Sequence, residues 1–146
     1  MLFSRVVRTE PEKVFIVMKA GEALLIGRPV SVQFSGTDDG KMGYLADAAA
    51  DATTVVGLAD KAIASGDYGL VQCYGFRSDA QMINASDIAV SAGAIMAVGS
   101  ASSGYLYVSS SLGAATGIQP SFVWAHSATK TTSTTLWTAG VFIRCM

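Results

Sequence analysis

The chain has 146 residues, of which 51% are hydrophobic and only 14% charged, with a net charge of −1 and a pI near 5.7. That length suffices for one domain with its own core and no disulfide or metal support. A balance this neutral excludes the clustered cationic face that direct nucleic-acid binding needs. An ordinary soluble domain is about 25% charged, so this chain has too few charges to coat a monomer. They are also uneven: residues 1–22 hold seven, residues 78–146 only four. Much of the C-terminal half is therefore expected to be core, protein interface or neutral Ser/Thr/Gly/Ala surface.

Residues 1–12 carry mixed charge around Pro11, which disfavours a helix running through it. They predict an extended N-terminal arm ahead of a β domain spanning 13–146, and they lack the succession of a secretory leader. Lys13 to Lys19 is a β-branched and aromatic run bounded by charges, hence a strand, and Ala20-Gly21-Glu22 breaks it. Leu24, Leu25 and Ile26 resume an extended segment that continues through Val30, Val32 and Phe34. Pro29 cannot donate to a ladder and is expected at an edge or a bulge. Residues 35–43 read as a loop, with Asp39-Gly40 its most turn-prone pair. Asp38 and Asp39 lack the third acidic residue of a calcium loop. Tyr44 to Asp51 predicts one or two helical turns, kept short by i,i+4 repulsion between Asp47 and Asp51.

The stretch from Thr53 to Arg77 organises the remainder. Thr53 to Asp60 reads as one strand, Gly66-Asp67 ends a connector, and Tyr68 to Arg77 reads as a second strand. Tyr68, Leu70, Tyr74 and Phe76 fall on one side of its period-two pattern, with Val71 and Cys73 on the other. Both faces are apolar, so this strand is predicted to be central. Gln81 to Ile83 predicts a short further strand. Ala92 to Gly99 then echoes Ala20 to Gly27 in the pattern Ala-Gly-x-x-[Leu/Met]-x-[Ile/Val]-Gly, and Gly66 opens its strand similarly; each is read as a glycine-initiated strand. Residues 88–108 are uncharged and long enough to span a bilayer, but Gly93, Gly99, Gly104 and interspersed serines argue against a helix. Tyr105 to Val108, Pro120 to Ala125 and Thr135 to Met146 complete the strands. The fold class is mainly β, a single compact β-barrel or β-sandwich-like domain.

Catalytic chemistry is not visible. His126 is the only histidine, and Cys73 and Cys145 have no close sequence pairing, so neither a zinc set nor a nucleophile-base pair emerges. Both cysteines sit in apolar alternating runs that suit free thiols in a reducing compartment. No phosphate-binding glycine loop or Gly-x-Ser-x-Gly elbow occurs. Trp124, Trp137, Tyr105 and Tyr107 could stack on sugars or bases, yet each lies inside an apolar strand pattern and is read first as structural. No enzyme, cofactor or metal is expected.

The unit Val55-Val56-Gly57-Leu58-Ala59, followed by Gly66-Asp67-Tyr68-Gly69-Leu70-Val71-Gln72-Cys73-Tyr74-Gly75, resembles the Val-Val-Gly-x-Ala … Gly-Asp-x-x-x-Val-x-x-x-Gly cadence of small head proteins of tailed bacteriophages. Ala-Gly-Glu-Ala-Leu-Leu-Ile-Gly, Ser-Gly-Tyr-Leu-Tyr-Val and Ala-Gly-Val-Phe-Ile-Arg-Cys are similar in style. The family resembled is the capsid decoration, or cement, proteins. The likeness implies a small β-rich virion protein, made in the host cytoplasm and bound outside the mature head, with the major capsid protein as partner and a homo-oligomer, a trimer first, as its state. It carries over no site residue. The expected capsid contacts are Phe3, Arg5, Val6, Val7 and Arg8 of the arm. The alternatives are a tail or fibre-associated structural protein and a carbohydrate-binding β module.

Overall fold

The computed structural model describes residues 12–34, 40–47, 51, 53–83, 90–98, 104–108, 122–126 and 136–145. Among them are nine strands: β1 Val14–Ala20, β2 Pro29–Val32, β3 Met42–Leu45, β4 Val55–Ala59, β5 Tyr68–Met82, β6 Ile95–Val98, β7 Leu106–Val108, β8 Val123–Ala125 and β9 Trp137–Arg144. The arm residues 1–11, and with them Phe3, Arg5, Val6, Val7 and Arg8, lie outside the described residues, as do Asp38 and Asp39.

Strand β5 is central, as expected, and longer than expected. It runs fifteen residues and absorbs the separate strand predicted at Gln81 to Ile83. Its first half closes a five-stranded barrel in the order β1-β3-β2-β4-β5, with β1 and β5 antiparallel. Its second half belongs to another closed ring of pairings, β5-β7-β6-β8-β9, joined back by the antiparallel β5–β9 ladder. The mainly β class and the barrel are thus as the sequence predicted. Each ring has its own core. Met18, Ala20, Leu24, Val30, Val32, Ala59, Ile63 and Val71 fill the first. The second is built on Met82, Met96, Val98, Leu106, Val123, Val141 and Ile143, with Leu58 and Ala46 reaching in from the first ring.

A recurring turn starts the strands. Leu25 to Arg28, Ala64 to Asp67 and Ser91 to Ala94 each close with an i to i+3 hydrogen bond of 3.0–3.3 Å, and Gly27, Gly66 and Gly93 occupy the third position with φ of 72°, 86° and 79°. That is the glycine a type II turn requires. In each case the strand begins two residues later. The expected match of Ala20 to Gly27 with Ala92 to Gly99 is not kept, since Gly21 opens no strand; the recurrence lies elsewhere. Gly27 matches Gly66 and Gly93, and Leu24, Ile63 and Val90 precede them by three residues. Leu24 pairs with Ile63 by an isolated bridge.

Three local expectations change. Leu24 to Ile26 is a bridge and a turn rather than strand, because β2 begins only at Pro29. Pro29 opens that strand, where its missing donor costs least, and the register with β4 shifts one residue later. Met42 and Gly43 belong to β3 rather than a loop. Tyr44 and Leu45 complete β3 instead of starting a helix: they pair with Ser31 and Val30, and the Leu45 amide donates to Glu22 Oε1 at 2.7 Å. Residues 48–50 are outside the described set. The segment weighed as a membrane span contains the antiparallel pair β6–β7, and no helix among the described residues is long and apolar enough to cross a membrane.

Candidate interaction face

Side chains alternate along β1, so Phe15 and Val17 point away from the core that Met18 and Ala20 enter. On β5 the same outward side carries Tyr68 and Leu70. The register sets Val17 against Leu70 and Lys19 against Tyr68. The result is a contiguous exposed apolar face: Val17 is 69% exposed, Tyr68 72%, Leu70 45% and Phe15 37%. The period-two pattern placed Tyr68 and Leu70 together correctly, but it read their face as core. Nothing in the described structure covers it. Beside this face, a cavity of about 320 Å³ is lined by Asp60, Lys61, Ile63, Asp67, Tyr68 and Leu70, so its rim carries both signs of charge.

Further along, the same side of β5 turns inward. Gln72 is buried, and its amide donates to Tyr74 O at 3.2 Å and Phe76 O at 3.1 Å. Tyr74 and Phe76 are half-buried, and Tyr74 meets Phe142 edge to face at 5.3 Å. Phe76 meets His126 edge to face at 4.8 Å. Ile95, Trp124, Phe142 and Phe76 form one cross-strand row on the outside of the second ring. Trp137 packs on the second core. These rings are largely engaged with one another.

The two rings are latched by charge. Arg77 is 4% exposed; its NH1 lies 3.3 Å from Asp60 Oδ1 and its NH2 donates to Asp60 O at 3.0 Å and Asp79 Oδ2 at 3.2 Å. Its Nε is 2.8 Å from Asp79 Oδ1, at an angle that makes an ion pair rather than a hydrogen bond. Arg28, just past the Gly27 turn, lies 4.1 Å from the Tyr105 ring centre, hydrogen-bonds its hydroxyl, and donates Nε to Gln81 Oε1 at 3.3 Å. A second ring thus rests on the first through buried or half-buried guanidinium groups, which pair well in planar geometry.

Sequence spacing missed the cysteines' proximity. Tyr74 pairs with Arg144, so Cys73 and Cys145 stand opposite one another, with the Cys145 amide donating to Cys73 O at 2.9 Å. Both are free thiols. Burial, and then the neighbouring Cys73, pushes the Cys145 thiol up to about 12. Burial likewise raises Cys73, partly offset by its hydrogen bond to the backbone. Reactive cysteines are poised the opposite way. Among the described residues no cluster of three His, Cys, Asp or Glu could hold a metal, and His126 is spent on Phe76. Among the described residues, the β1/β5 face brings together Phe15, Val17, Tyr68 and Leu70 as exposed apolar side chains on neighbouring strands. No protein-family model matches the chain, and no curated protein matches it.

Proposed function

We propose that this is a non-catalytic viral structural protein, a capsid decoration or cement protein that binds the outside of the mature phage head and clamps capsomer junctions against internal DNA pressure. The carrying observation is the exposed apolar face of Phe15, Val17, Tyr68 and Leu70 on an otherwise closed, charge-poor β body. Monomeric proteins seldom leave several large apolar side chains contiguous and wet unless a partner covers them. The arm joins the body at Lys13 and Val14, at the start of the strand that builds this face. An arm gripping the major capsid protein through Phe3, Arg5, Val6, Val7 and Arg8 would therefore act next to a surface suited to large-area contact. A clamp needs burial across several subunits and no chemistry.

The test is co-sedimentation of the purified protein with expanded capsids and with unexpanded procapsids, counting bound copies. Saturable binding to the expanded shell alone is expected. Leu70→Glu and deletion of residues 1–12 should each abolish it with little change in thermal unfolding. Absence of binding to either shell, or binding unaffected by both changes, overturns the reading. A tail or fibre protein would instead polymerise or form rings without a shell.

A further inference from the structure

Strand β1 has one occupied edge and one open edge. Ala20 donates its amide to Asp67 O at 2.8 Å and accepts from Gly66, so its backbone groups point toward β5. Successive residues alternate edges. Met18 and Ile16 therefore also bond β5, whereas Lys19, Val17 and Phe15 turn their N–H and C=O groups the other way. On that side β3 meets β1 only at Lys19 and Ala20. Among the described residues, nothing pairs with the outward groups of Phe15 and Val17. The open edge and the exposed face thus coincide on the same two residues. An apolar strand edge left open is a template for another strand.

We infer that β1 joins, edge to edge and antiparallel, the β1 strand of a second copy of this chain, with Phe15 facing Phe15 of the second copy. Charge selects that register. Centring the pair on Ile16 would set Lys13 directly against Lys19 of the second copy at both ends, and like charges directly opposite are destabilising. Centring it on Val17 would pair Phe15 with Lys19, whose groups β3 already takes. Centring it on Phe15 sets each Lys13 against a Val17, adds an aromatic pair at the axis, and satisfies the free groups of both copies. Such an interface is isologous and closes at two, where the family resemblance implies three. It also doubles the apolar face by placing two copies of Val17 and Leu70 side by side on one sheet.

The experiment is sedimentation velocity on the full chain over a concentration series reaching roughly 0.5 mM, because an edge this short lies at the weak end of specific interfaces. Val17→Lys adds a charge at the edge. Val17→Pro removes an N–H that bonds nothing among the described residues. Leu136→Lys, on an exposed side chain elsewhere, is the control. Wild type and control should dimerise reversibly, and both Val17 variants should weaken association about tenfold or more with urea midpoints near wild type. A second readout keeps a misfolded proline variant from deciding the matter, since the lysine variant keeps every internal bond. Monomers at all concentrations, a trimer, or dimers that survive both variants overturn the inference. It stands apart from the capsid reading: dimers that ignore capsids refute only the latter, and capsid-binding monomers only the former.

Discussion

Replacing Gly27 with alanine should cost far more than replacing Gly93, although both glycines occupy the same turn position with nearly the same φ, 72° and 79°. For both, a Cβ in the left-handed region costs about 1–2 kcal/mol. At Gly93 no other described residue comes within 4 Å of the added carbon. At Gly27 the added carbon would sit 2.3 Å from the carbonyl oxygen of Asp79. That oxygen cannot retreat freely, because Gly27 O accepts from Gln81 N at 3.0 Å and Gly27 N donates to Ala59 O at 2.9 Å, which fixes the turn against β5. Overpacking of this kind adds about 1–3 kcal/mol. The expected totals are about 1–2 kcal/mol for Gly93→Ala and about 2–5 kcal/mol for Gly27→Ala. Urea unfolding followed by Trp124 and Trp137 fluorescence reads the difference, which at a slope of roughly 1–3 kcal/mol/M corresponds to about 1 M between midpoints. Equal midpoints would show that the first ring does not bear on β5 through this turn.

Stripping Arg77 of both counter-charges with Asp60→Asn and Asp79→Asn should destabilise by about 3–5 kcal/mol. Each single change should cost less than half of that, since the other carboxylate still pairs; a double-mutant cycle additive within about 0.5 kcal/mol would show no shared network. Tyr107 is buried, and its hydroxyl has no partner among the described residues, so Tyr107→Phe should leave the urea midpoint unchanged or higher, because it removes an unsatisfied donor worth about 1–3 kcal/mol. A loss above about 1 kcal/mol contradicts this. Cys145 has its thiol raised to about 12 against about 8.5 in an unfolded chain. The fold prefers its neutral form, so that contribution is complete below about pH 8.5 and is lost as pH rises toward 12. Alkylation at pH 8 should run orders of magnitude slower than in urea, and Cys145→Ser should flatten the decline in stability above pH 9; labelling at the unfolded rate would contradict the burial.

Local pattern found strands well and pairing poorly. β1, β4 and the start of β5 are apolar, β-branched or aromatic runs with clear stops, and the sequence shows them directly. The end of β5 is hidden in the sequence because Arg77-Ser78-Asp79 looks like a polar stop. The polarity is instead consumed by a latch to Asp60, seventeen residues away, where the β9 register also shifts. The alanines after Tyr44 suggested helix, but pairing to β2 outweighs so slight a propensity. Leu24 to Ile26 is an apolar run that suggests strand, whereas Leu25 and Ile26 are exposed on a turn. Of the interaction face, the co-facing of Tyr68 and Leu70 was readable. Its exposure was not, since that depends on β1 lying alongside with its other edge left open, a fact with no local signature.

Tyr74 is where the two rings meet, and both outer ladders of β5 reach it: Val14, starting β1, pairs with it on one edge, and Arg144, closing β9, on the other. With strands spaced about 4.8 Å apart, the two ends of the β structure leave the body roughly 10 Å from each other at its waist. A load applied between those ends acts at the terminal rung of each ladder and peels it one hydrogen bond at a time, a soft direction. A load that draws the two rings apart acts along the covalent backbone of β5 and shears every bond of its ladders together. The body is therefore stiff along its length and yielding at its waist, which suits a tether fixed at the waist with each ring seated on a different neighbour.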